Sequence, residues 1–419
     1  MNTPVIRDVE RIWVSVPLKP RHARHLTREN WDWTVFEIIR LTSDTDLVGW
    51  GETMCYYTWG RVPQEQIERV KGRSPFEFLG DDRLGAGLQM AAYDLAAKAL
   101  GLPVYRLLGP KVRDFCPISW WTNDMSTDDW LEEMREALSL GYMGAKLKAR
   151  PWRDFRAQIE ALARIVPSDF RFDADYNSFL RDSAHAVPYL LELEKIPAVA
   201  FHETPIPQGD VEGNAAIRRK VSRPIAMHYG TPPIQTVVRD EVCDGFVVGG
   251  GAGRILRDAS VCAELSKPFW LQMVGTGITT AFALHLGSGL ANATWPAITC
   301  HEIYEDDLLT GGIPVAGGYS AVPEAPGLGV EIDEAAIARY RVDEGFRPPA
   351  PDALYRVRWP SGGEVVYRVG KEGVWDDFAA GNQFLFHEGV ELEVVANDES
   401  REWRELHARC ERGPVRLER

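Results

Sequence analysis

The chain of 419 residues is long enough for one large core and a smaller second unit, because single cores stop growing at roughly 250 to 300 residues. Its 45% hydrophobic and 26% charged residues exclude a largely disordered chain. The net charge of −14, with no clustering of basic residues, argues against nucleic acid or an anionic membrane as a partner. It does not exclude an anionic small substrate, since lysines and a bound metal set the potential inside a cleft.

The sequence shows no recognisable targeting or membrane-spanning segment. Charges interrupt the apolar residues near its start, and no apolar run reaches the roughly 18 residues of a transmembrane helix. The cysteines lack zinc-site or CxxC spacing, so we interpret them as reduced, mostly buried thiols, and we expect a cytoplasmic location. They are Cys55, Cys116, Cys243, Cys262, Cys300 and Cys410.

Residues 1–115 are predicted to form an α+β capping domain. Residues 5–16 alternate between apolar and polar as a strand does, and 34–41 is a second β-rich run before a turn and a third apolar segment. Over 64–100 the apolar spacing becomes helical, and Gly101 supplies a helix stop.

Residues 116–345 alternate short apolar strands with amphipathic helices, which is typical of parallel βαβ units. Eight such strands close a barrel, so we predict an α/β fold of the (β/α)8, TIM-like type. The predicted strands lie near Ile118 and at 145–147, 172–174, 199–202, 225–227, 245–248, 269–272 and 297–300. The predicted helices include 129–140, 154–165, 188–193, 255–265 and 279–290.

Residues 346–419 return to a β-like pattern. The segments LYRVRW, EVVYRV and VELEVV alternate in polarity, and Ser361-Gly362-Gly363 forms a turn between the first two. The segment contains no recognisable chemistry. We predict a β-rich C-terminal extension that packs on the cap.

The first chemically informative segment is Lys146-Leu147-Lys148, in the second predicted barrel strand. Residues i and i+2 of a strand face the same side, so both ammonium groups are expected inside the barrel. Close like charges lower each other's pKa, which can make a lysine a general base near neutral pH. The alternative is a strand end with two solvated lysines.

Carboxylates end the next two strands. Asp175 and Glu203 lie on the face where barrel enzymes form active sites, and such oxygen ligands suit Mg²⁺. Each alone is equally compatible with a helix N-cap or a loop carboxylate. Their spacing favours a site, because Lys148 precedes Asp175 by 27 residues and Asp175 precedes Glu203 by 28. Tyr229 follows Glu203 by 26, so functional groups recur once per βα unit.

Six segments of the chain form a recognisable series. They are LVGWGET at 47–53, AYDLAAKALGLPVYRLLG at 92–109, GYMGAKLK at 141–148, DYN at 175–177, ETP at 203–205 and PEAPGLGVEID at 323–333. Together they resemble the enolase superfamily, in its mandelate racemase and muconate lactonizing branch. The resemblance extends over about residues 5–345, and the order and spacing of the segments carry it, since none is specific alone.

The resemblance implies a Mg²⁺ ion held by three carboxylates after barrel strands three, four and five. In that family the metal binds the substrate carboxylate and stabilises the ene-diolate that forms when a base removes the α-proton. By position, Asp175 and Glu203 resemble the first two metal ligands. Lys148 resembles the base, with Lys146 as its neighbour. The implied partner is a small-molecule carboxylate substrate, and we expect a homo-oligomer.

The third metal ligand departs from the family pattern. After Pro-Ile-Ala of strand five, where an acidic residue is usual, this chain has Met227, His228 and Tyr229, of which the last falls in the ligand register. His228 and Tyr229 are therefore candidate ligands, although an imidazole suits softer ions better than Mg²⁺. The alternatives are a water ligand, a weak or absent metal, and His228 as a hydrogen-bonded barrel residue.

The opposite wall of the predicted site lacks a second base. Strand six, where muconate-branch relatives carry lysine, has Gly245–Val248, and the racemase histidine of strand seven appears as Gln272 or Met273. A racemase needs an acid or base on both faces of the carbanion, whereas β-elimination works from one face. Dehydration of a hydroxy acid or sugar acid, with Lys148 as base, is therefore the leading prediction.

Further candidates surround the predicted site. His301 and Glu302 beside strand eight are candidate second catalytic groups, or else a solvated loop pair. Substrate contacts are expected from the cap and the barrel rim, because loops usually carry specificity. The alternatives are a flexible charged surface loop and aromatic residues that only fill the rim. The substrate-binding candidates are His22, Arg24, His25, Trp120, Trp121 and Asn177.

Three functions fit the sequence. The first is a Mg²⁺-dependent hydro-lyase that acts on a hydroxy or sugar acid. The second is an isomerase of the same superfamily, either an epimerase or racemase or a cycloisomerase. The third is a degenerate barrel that binds an acidic ligand without turnover, because the third acidic metal ligand is missing.

Overall fold

An antiparallel three-stranded sheet covered by one long helix forms the first part of the computed structural model. The helix approaches closely because the third strand carries glycines, and a Cβ atom on Gly51 would lie 2.1 Å from the carbonyl oxygen of Gly87. The predicted strands and helical segment are confirmed. The elements are β1 (Ile6–Ser15), α1 (Pro20–Arg24), β2 (Val35–Ser43), β3 (Val48–Met54), α2 (Gln64–Val70), α3 (Ala86–Leu100) and α4 (Tyr105–Leu108). The structure describes residues 4–28, 30–57, 60–370 and 373–417.

Seven parallel strands form one curved sheet whose spatial order follows the chain, with helices in the connections between them. The elements of this part are β4 (Phe115–Pro117), β5 (Trp120–Trp121), α5 (Thr127–Ser139), β6 (Gly144–Lys148), α6 (Phe155–Ala163), β7 (Arg171–Asp175), α7 (Ser183–Leu193), β8 (Val199–Glu203), α8 (Val211–Arg218), β9 (Ile225–His228), α9 (Ile234–Asp240), β10 (Gly245–Val248), α10 (Ala252–Glu264), β11 (Phe269–Leu271), α11 (Gly277–Gly289), β12 (Tyr319–Ala321) and α12 (Glu334–Arg339). Strands β5 to β11 make up the curved sheet, and β12 pairs with β4.

A two-residue segment closes this sheet into a barrel. Ala297 forms a parallel bridge with Ile118, just before β5, and Ile298 forms one with Gln272, just after β11. The segment does not continue as the predicted strand, because Cys300 adopts a φ of 60° in the left-handed region and turns the chain. The α/β barrel is confirmed, with its eighth strand reduced to two bridging residues.

The register of the parallel strands places the polar side chains together. Lys148 pairs with Asp175 across β6 and β7, and Asp175 pairs with Glu203 across β7 and β8. All three residues end their strands. Side chains at the carboxyl ends of neighbouring parallel strands meet at one mouth of the barrel.

Capping residues fix where several barrel helices begin. A side-chain oxygen of Ser126, Asp154, Asp182 or Asp210 accepts a hydrogen bond from the backbone N–H three residues later. Helices α8 and α9 are absent from the sequence predictions. With eight and seven residues they are too short for helical periodicity to stand out.

The C-terminal part forms a four-stranded antiparallel sheet with two helices. Its elements are β13 (Ala353–Arg358), β14 (Glu364–Arg368), α13 (Val374–Ala379), β15 (Glu391–Ala396), α14 (Arg401–Cys410) and β16 (Val415–Leu417). Its apolar face packs with Trp152 and Phe179, from the loops after β6 and β7. It also contacts the cap, where the backbone N–H of Leu26 donates to the Tyr355 hydroxyl at 3.0 Å. We propose residues 1–115, 116–345 and 346–419 as the three domains.

All six cysteines are free and buried. None of the helices in the described part of the chain combines the length and apolarity that a membrane crossing requires.

Candidate active site

Two lysines and two carboxylates meet at the carboxyl ends of β6, β7 and β8. The Nζ of Lys148 lies 2.5 Å from Oδ2 of Asp175. The Nζ of Lys146 lies 3.4 Å from the same oxygen and forms an ion pair with Oε2 of Glu203. All four side chains are buried. The amine of Lys148 and the oxygens of Asp175 and Glu203 therefore converge at the mouth of the barrel.

The two lysines differ in pKa although they are two residues apart. Burial lowers the pKa of Lys148 to about 8, and the charge of Lys146 adds to this effect while Asp175 opposes it. Burial also disfavours the charged form of Lys146, but Glu203 and Asp175 outweigh it and raise the pKa of Lys146. The predicted mutual lowering therefore holds for one lysine, because Lys146 has two carboxylate partners.

The two carboxylates are held in the anionic form. Burial alone would raise the pKa of Asp175, but Lys148, Lys146 and Arg150 hold it well below its usual range. Burial and the charge of Asp175 would raise the pKa of Glu203. Lys146 and His228 outweigh both effects and lower this pKa. A lysine that deprotonates readily, next to two anionic carboxylates, is suited to removing a proton beside a bound cation.

A cavity of about 370 Å³ lies beside this cluster, between the cap and strands β9 to β11. Strand β10 lies four strands from β6 around the barrel and therefore faces it. The wall contributed by β10, β11 and the residues that follow them includes Val247, Gly249, Gln272 and Met273, which have no ionisable side chain, and the guanidinium of Arg254 from α10. His228 of β9 also lines the cavity, and its side chain is 44% exposed.

Comparison with known proteins identifies the family. A muconate cycloisomerase from Pseudomonas fluorescens has the same fold, with a TM-score of 0.66 at 21% identity over 82% of this chain and 100% of that chain. The family described as enolase C-terminal domain-like matches residues 129–336. The chain belongs to the enolase superfamily, in its mandelate racemase and muconate lactonizing branch.

Relatives in the superfamily have different reactions. An N-succinylamino acid racemase from Thermus thermophilus is 28% identical over 268 residues, which are 61% of this chain and 70% of the relative. An arabinonate dehydratase from Saccharolobus solfataricus is 23% identical over 335 residues, which are 72% of this chain and 88% of the relative. The superfamily is enzymatic, and its members include dehydratases, racemases and cycloisomerases.

Enzymes of the superfamily generally use Mg²⁺, and the residues of this site fit a divalent cation in part. Asp175 and Glu203 are buried oxygen donors, and the ammonium of Lys146 contacts both, which marks a position that favours positive charge. Within the described ranges, no three His, Cys, Asp or Glu side chains lie close enough together to hold a metal ion. Asp175 and Glu203 would hold the ion, with His228 as the neighbouring donor.

His228 and Tyr229 point in different directions. The Nε2 of His228 lies 3.4 Å from Oε1 of Glu203. The ring of Tyr229 packs edge-on against Phe246, with 5.2 Å between the ring centroids. Tyr229 also lines the cavity, but its ring contact is with β10 and not with Asp175 or Glu203. His228 is therefore the candidate that contacts a proposed ligand, and Tyr229 as a metal ligand stays a prediction without support from its contacts.

His301 lies beside the eighth strand but is not directed at the lysines. Its Nδ1 lies 2.9 Å from the Thr299 hydroxyl, and its Nε2 lies 3.4 Å from the Tyr142 hydroxyl. Glu302 accepts a hydrogen bond from the backbone N–H of Trp121. These contacts give no support for a catalytic role of His301 or Glu302, and the role of His301 stays a prediction.

The cap histidines are bound to helix α5 rather than to the site. His22 is fully buried, and its Nε2 lies 3.0 Å from Oε2 of Glu133. The Nε2 of His25 lies 2.7 Å from Oδ2 of Asp129. Arg24 is exposed and pairs with the same aspartate. The geometry gives no support for substrate contacts by these three residues, because each of them pairs with a carboxylate of α5.

Trp120 and Trp121 form β5, and their side chains point to opposite faces of the sheet. The indole N–H of Trp120 donates to Glu133 at 3.0 Å, outside the barrel. The ring of Trp121 lies 5.5 Å from the Nζ of Lys148. Trp121 is therefore the tryptophan that faces the lysines, and the contacts of Trp120 give no support for its predicted role in substrate binding. Asn177 stays next to the site, since its backbone N–H donates to Oδ1 of Asp175 at 3.0 Å.

Sequence reasoning missed three buried or half-buried charged residues near the site. Arg28 lies over the rings of Trp33 and Tyr57, and its charge acts on the pKa of Lys148. Asp173 lies two residues before Asp175 in β7, so strand alternation places both on the same side of the sheet. Arg150 lies two residues after Lys148, just beyond the end of β6. Burial and the charge of Glu203 raise the pKa of Asp173 well above its ordinary value.

Proposed function

We propose that the protein is a Mg²⁺-dependent hydro-lyase that removes the α-proton of a hydroxy or sugar acid and eliminates water. The observation that carries the proposal is the one-sided site. Lys148 pairs with Asp175 at the ends of β6 and β7, and the cavity-lining residues of β10 and of the segment directly after β11 include no second lysine and no histidine that could act as the opposite base. The cations and acids that do line the cavity are Glu52 of the cap, His228 of β9 and Arg254 of α10. Elimination requires a base on one face only.

The reaction balances with the groups of this chain. When bound, Mg²⁺ would offset the charge of the substrate carboxylate and make the α-proton more acidic. Lys148 as the free amine takes that proton. The electron pair of the C–H bond forms the Cα=Cβ double bond as the bond to the β-hydroxyl breaks. The ammonium of Lys148 then gives its proton to the departing oxygen, which leaves as water. Where the α-carbon also carries a hydroxyl group, as it does in sugar acids, the product is an enol that tautomerises to a 2-keto acid.

Side chains around the cavity support a polyhydroxylated acid as substrate. The half-exposed imidazole of His228 lines the cavity, and Arg28 from the cap adds a cation whose charge acts on Lys148. These groups can bind hydroxyl or carboxylate oxygens beyond the reacting carbons. Relatives named as dehydratases act on acids of this class, including the D-gluconate dehydratase of Thermoproteus tenax at 23% identity. We also propose a cytoplasmic homo-oligomer.

Proton exchange in D₂O tests the proposal. The protein is incubated with Mg²⁺ and a library of acid sugars, and proton NMR follows loss of the α-proton signal while a carbonyl reagent detects 2-keto acid. We expect both for at least one sugar acid, with one water lost per keto acid formed. Neither deuterium incorporation nor keto product across the library would contradict the proposal.

An isomerase of the superfamily is the second candidate. The 44% exposed side chain of His228 offers an ionisable group at the cavity, away from the lysine wall, if it does not bind the metal. The racemase relatives favour this reading as well. Inversion at the α-carbon without loss of water, seen by chiral chromatography in the same incubations, would select it.

A barrel that binds an acidic ligand without turnover is the third candidate. The contact of Lys146 with Glu203 favours it, because this ammonium already neutralises a proposed metal ligand. Calorimetric titration that shows no Mg²⁺ binding, together with no proton exchange, would select it over both enzymes.

A further inference from the structure

Arg150 is a buried cation directly behind the proposed metal site. It is 1% exposed, and no carboxylate among the described residues forms an ion pair with it. Its guanidinium donates to the backbone carbonyl of Asp175 at 3.2 Å and to Oδ1 of Asn177 at 2.7 Å. Arg150 therefore stabilises the backbone at Asp175 and the side chain of Asn177.

Trp375, from helix α13 of the C-terminal extension, covers this guanidinium. The Cζ of Arg150 lies 4.7 Å from the centre of the Trp375 ring and 5.2 Å from that of Phe179. Trp375 and Phe179 also pack edge-on, with their ring centroids 4.7 Å apart. Two aromatic faces thus take the place of the missing carboxylate partner.

The loop after β7 needs such support because its backbone is strained. Asn177, Ser178 and Arg181 have φ values of 44°, 72° and 63°, which non-glycine residues rarely adopt. Conformations of this kind persist only where the surrounding structure holds them. The extension provides part of that hold, since Arg181 donates to the backbone carbonyls of Phe378 and Gln383 at 3.3 and 3.2 Å.

We propose that the C-terminal extension positions the proposed active site: Trp375 holds Arg150, and Arg150 holds Asp175 and Asn177. The catalytic consequence rests on the proposed function, whereas the ordering of the loop does not. The family match covers residues 129–336, so the extension lies outside the matched region. The extension thus acts as a part of the site that lies outside the barrel.

Two tryptophan variants of the extension test the proposal. Trp375→Leu removes the ring over Arg150, and Trp359→Leu removes a tryptophan of the same apolar cluster that has no contact with Arg150 among the described residues. Hydrogen–deuterium exchange of peptides covering 175–181 and the affinity for Mn²⁺, measured by electron paramagnetic resonance, are compared. We expect about tenfold faster exchange and about tenfold weaker Mn²⁺ binding for Trp375→Leu only. Trp375→Phe, which keeps an aromatic face, should restore most of both.

Equal effects of the two leucine variants, or unchanged exchange at 175–181 in Trp375→Leu, would overturn the proposal. If Trp375→Leu does not fold, Arg150→Lys serves instead, because it keeps the charge and loses the bond to Asn177; wild-type exchange in that variant would overturn the proposal equally. A wild-type protein that neither binds Mn²⁺ nor exchanges α-protons would refute the proposed function, while hydrogen exchange of the loop would still decide this inference.

Discussion

Lys146 and Lys148 show how two identical residues acquire different chemistry from their neighbours. Lys146 contacts two carboxylates, so its positive charge is stabilised. Lys148 has one close carboxylate and one neighbouring ammonium, so burial prevails and its pKa falls to about 8. We therefore assign proton transfer to Lys148, and we assign to Lys146 the neutralisation of the charges of Asp175 and Glu203.

Replacing Lys148 tests its assignment as the base. Lys148→Met should lower α-proton exchange by roughly 10³-fold, because general-base catalysis is lost while the apolar stem is kept. The thermal midpoint should change little, since Asp175 keeps Lys146 and Arg150 as neighbouring cations. Exchange is followed by proton NMR in D₂O and folding by circular dichroism. Lys195→Met, at an exposed site, is the control, and equal activity of the two variants would refute the assignment.

A second substitution tests His228 as the neighbour of the metal. His228→Asp should strengthen Mg²⁺ binding by about tenfold, because a carboxylate is a harder donor than an imidazole. Isothermal titration calorimetry measures the affinity. His185→Asp, on the exposed side of α7, adds the same charge elsewhere. If both variants bind Mg²⁺ like the wild type, His228 does not face the ion.

At the scale of elements, helix α5 anchors the segment that follows β1. Buried Glu133 accepts a hydrogen bond from Arg21 at Oε1 and one from the indole of Trp120 at Oε2, and the Nε2 of His22 lies 3.0 Å from Oε2. Burial would raise the pKa of Glu133, but these partners lower it to about 2. The histidines that the sequence suggested as substrate contacts therefore connect the cap to the barrel.

Removing the charge of Glu133 should destabilise the protein. Glu133→Gln should lower the free energy of unfolding by about 2 to 4 kcal/mol, because Arg21 and His22 lose a buried anionic partner. The matched control is Glu132→Gln, whose exposed pair with Arg135 should contribute less than about 0.5 kcal/mol. Urea unfolding measures both, and a loss for Glu133→Gln as small as that of the control would contradict this role.

The contact of His25 with α5 predicts a pH dependence of stability. Burial, and then the charge of Arg153, lower the pKa of His25 from 6.5 to about 4, despite its bond to Asp129. Between these values the unfolded chain binds a proton that the folded chain does not, so stability falls as the pH decreases from 6.5 toward 4. In His25→Gln the decrease should be shallower in urea unfolding at pH 7, 6 and 5. Identical slopes in the two proteins would show that His25 is not buried in its neutral form.

At the scale of the whole molecule, the sequence predicted the repeating strands and helices but few of the contacts between domains. The barrel strands follow a recurring βα pattern, and Lys148, Asp175 and Glu203 end three of them. Their positions were therefore predictable from the sequence. The contacts of His22 and Trp120 with Glu133 could not be predicted, because Glu133 lies more than ten residues away in sequence, on a helix whose polar residues were expected to face solvent. Arg150 was missed because its covering residue, Trp375, lies in the extension.

A cation site shared by Asp175 and Glu203, next to the amine of Lys148, is the central claim of the proposed mechanism. A crystal structure of the protein grown with Mg²⁺ and an acid sugar tests it most directly. We predict one ion bound by both carboxylates, Lys146 withdrawn from Glu203, His228 beside the ion, and the Nζ of Lys148 within hydrogen-bond reach of the α-carbon. An ion bound elsewhere, or Asp175 and Glu203 still paired with the lysines at saturating Mg²⁺, would contradict the account.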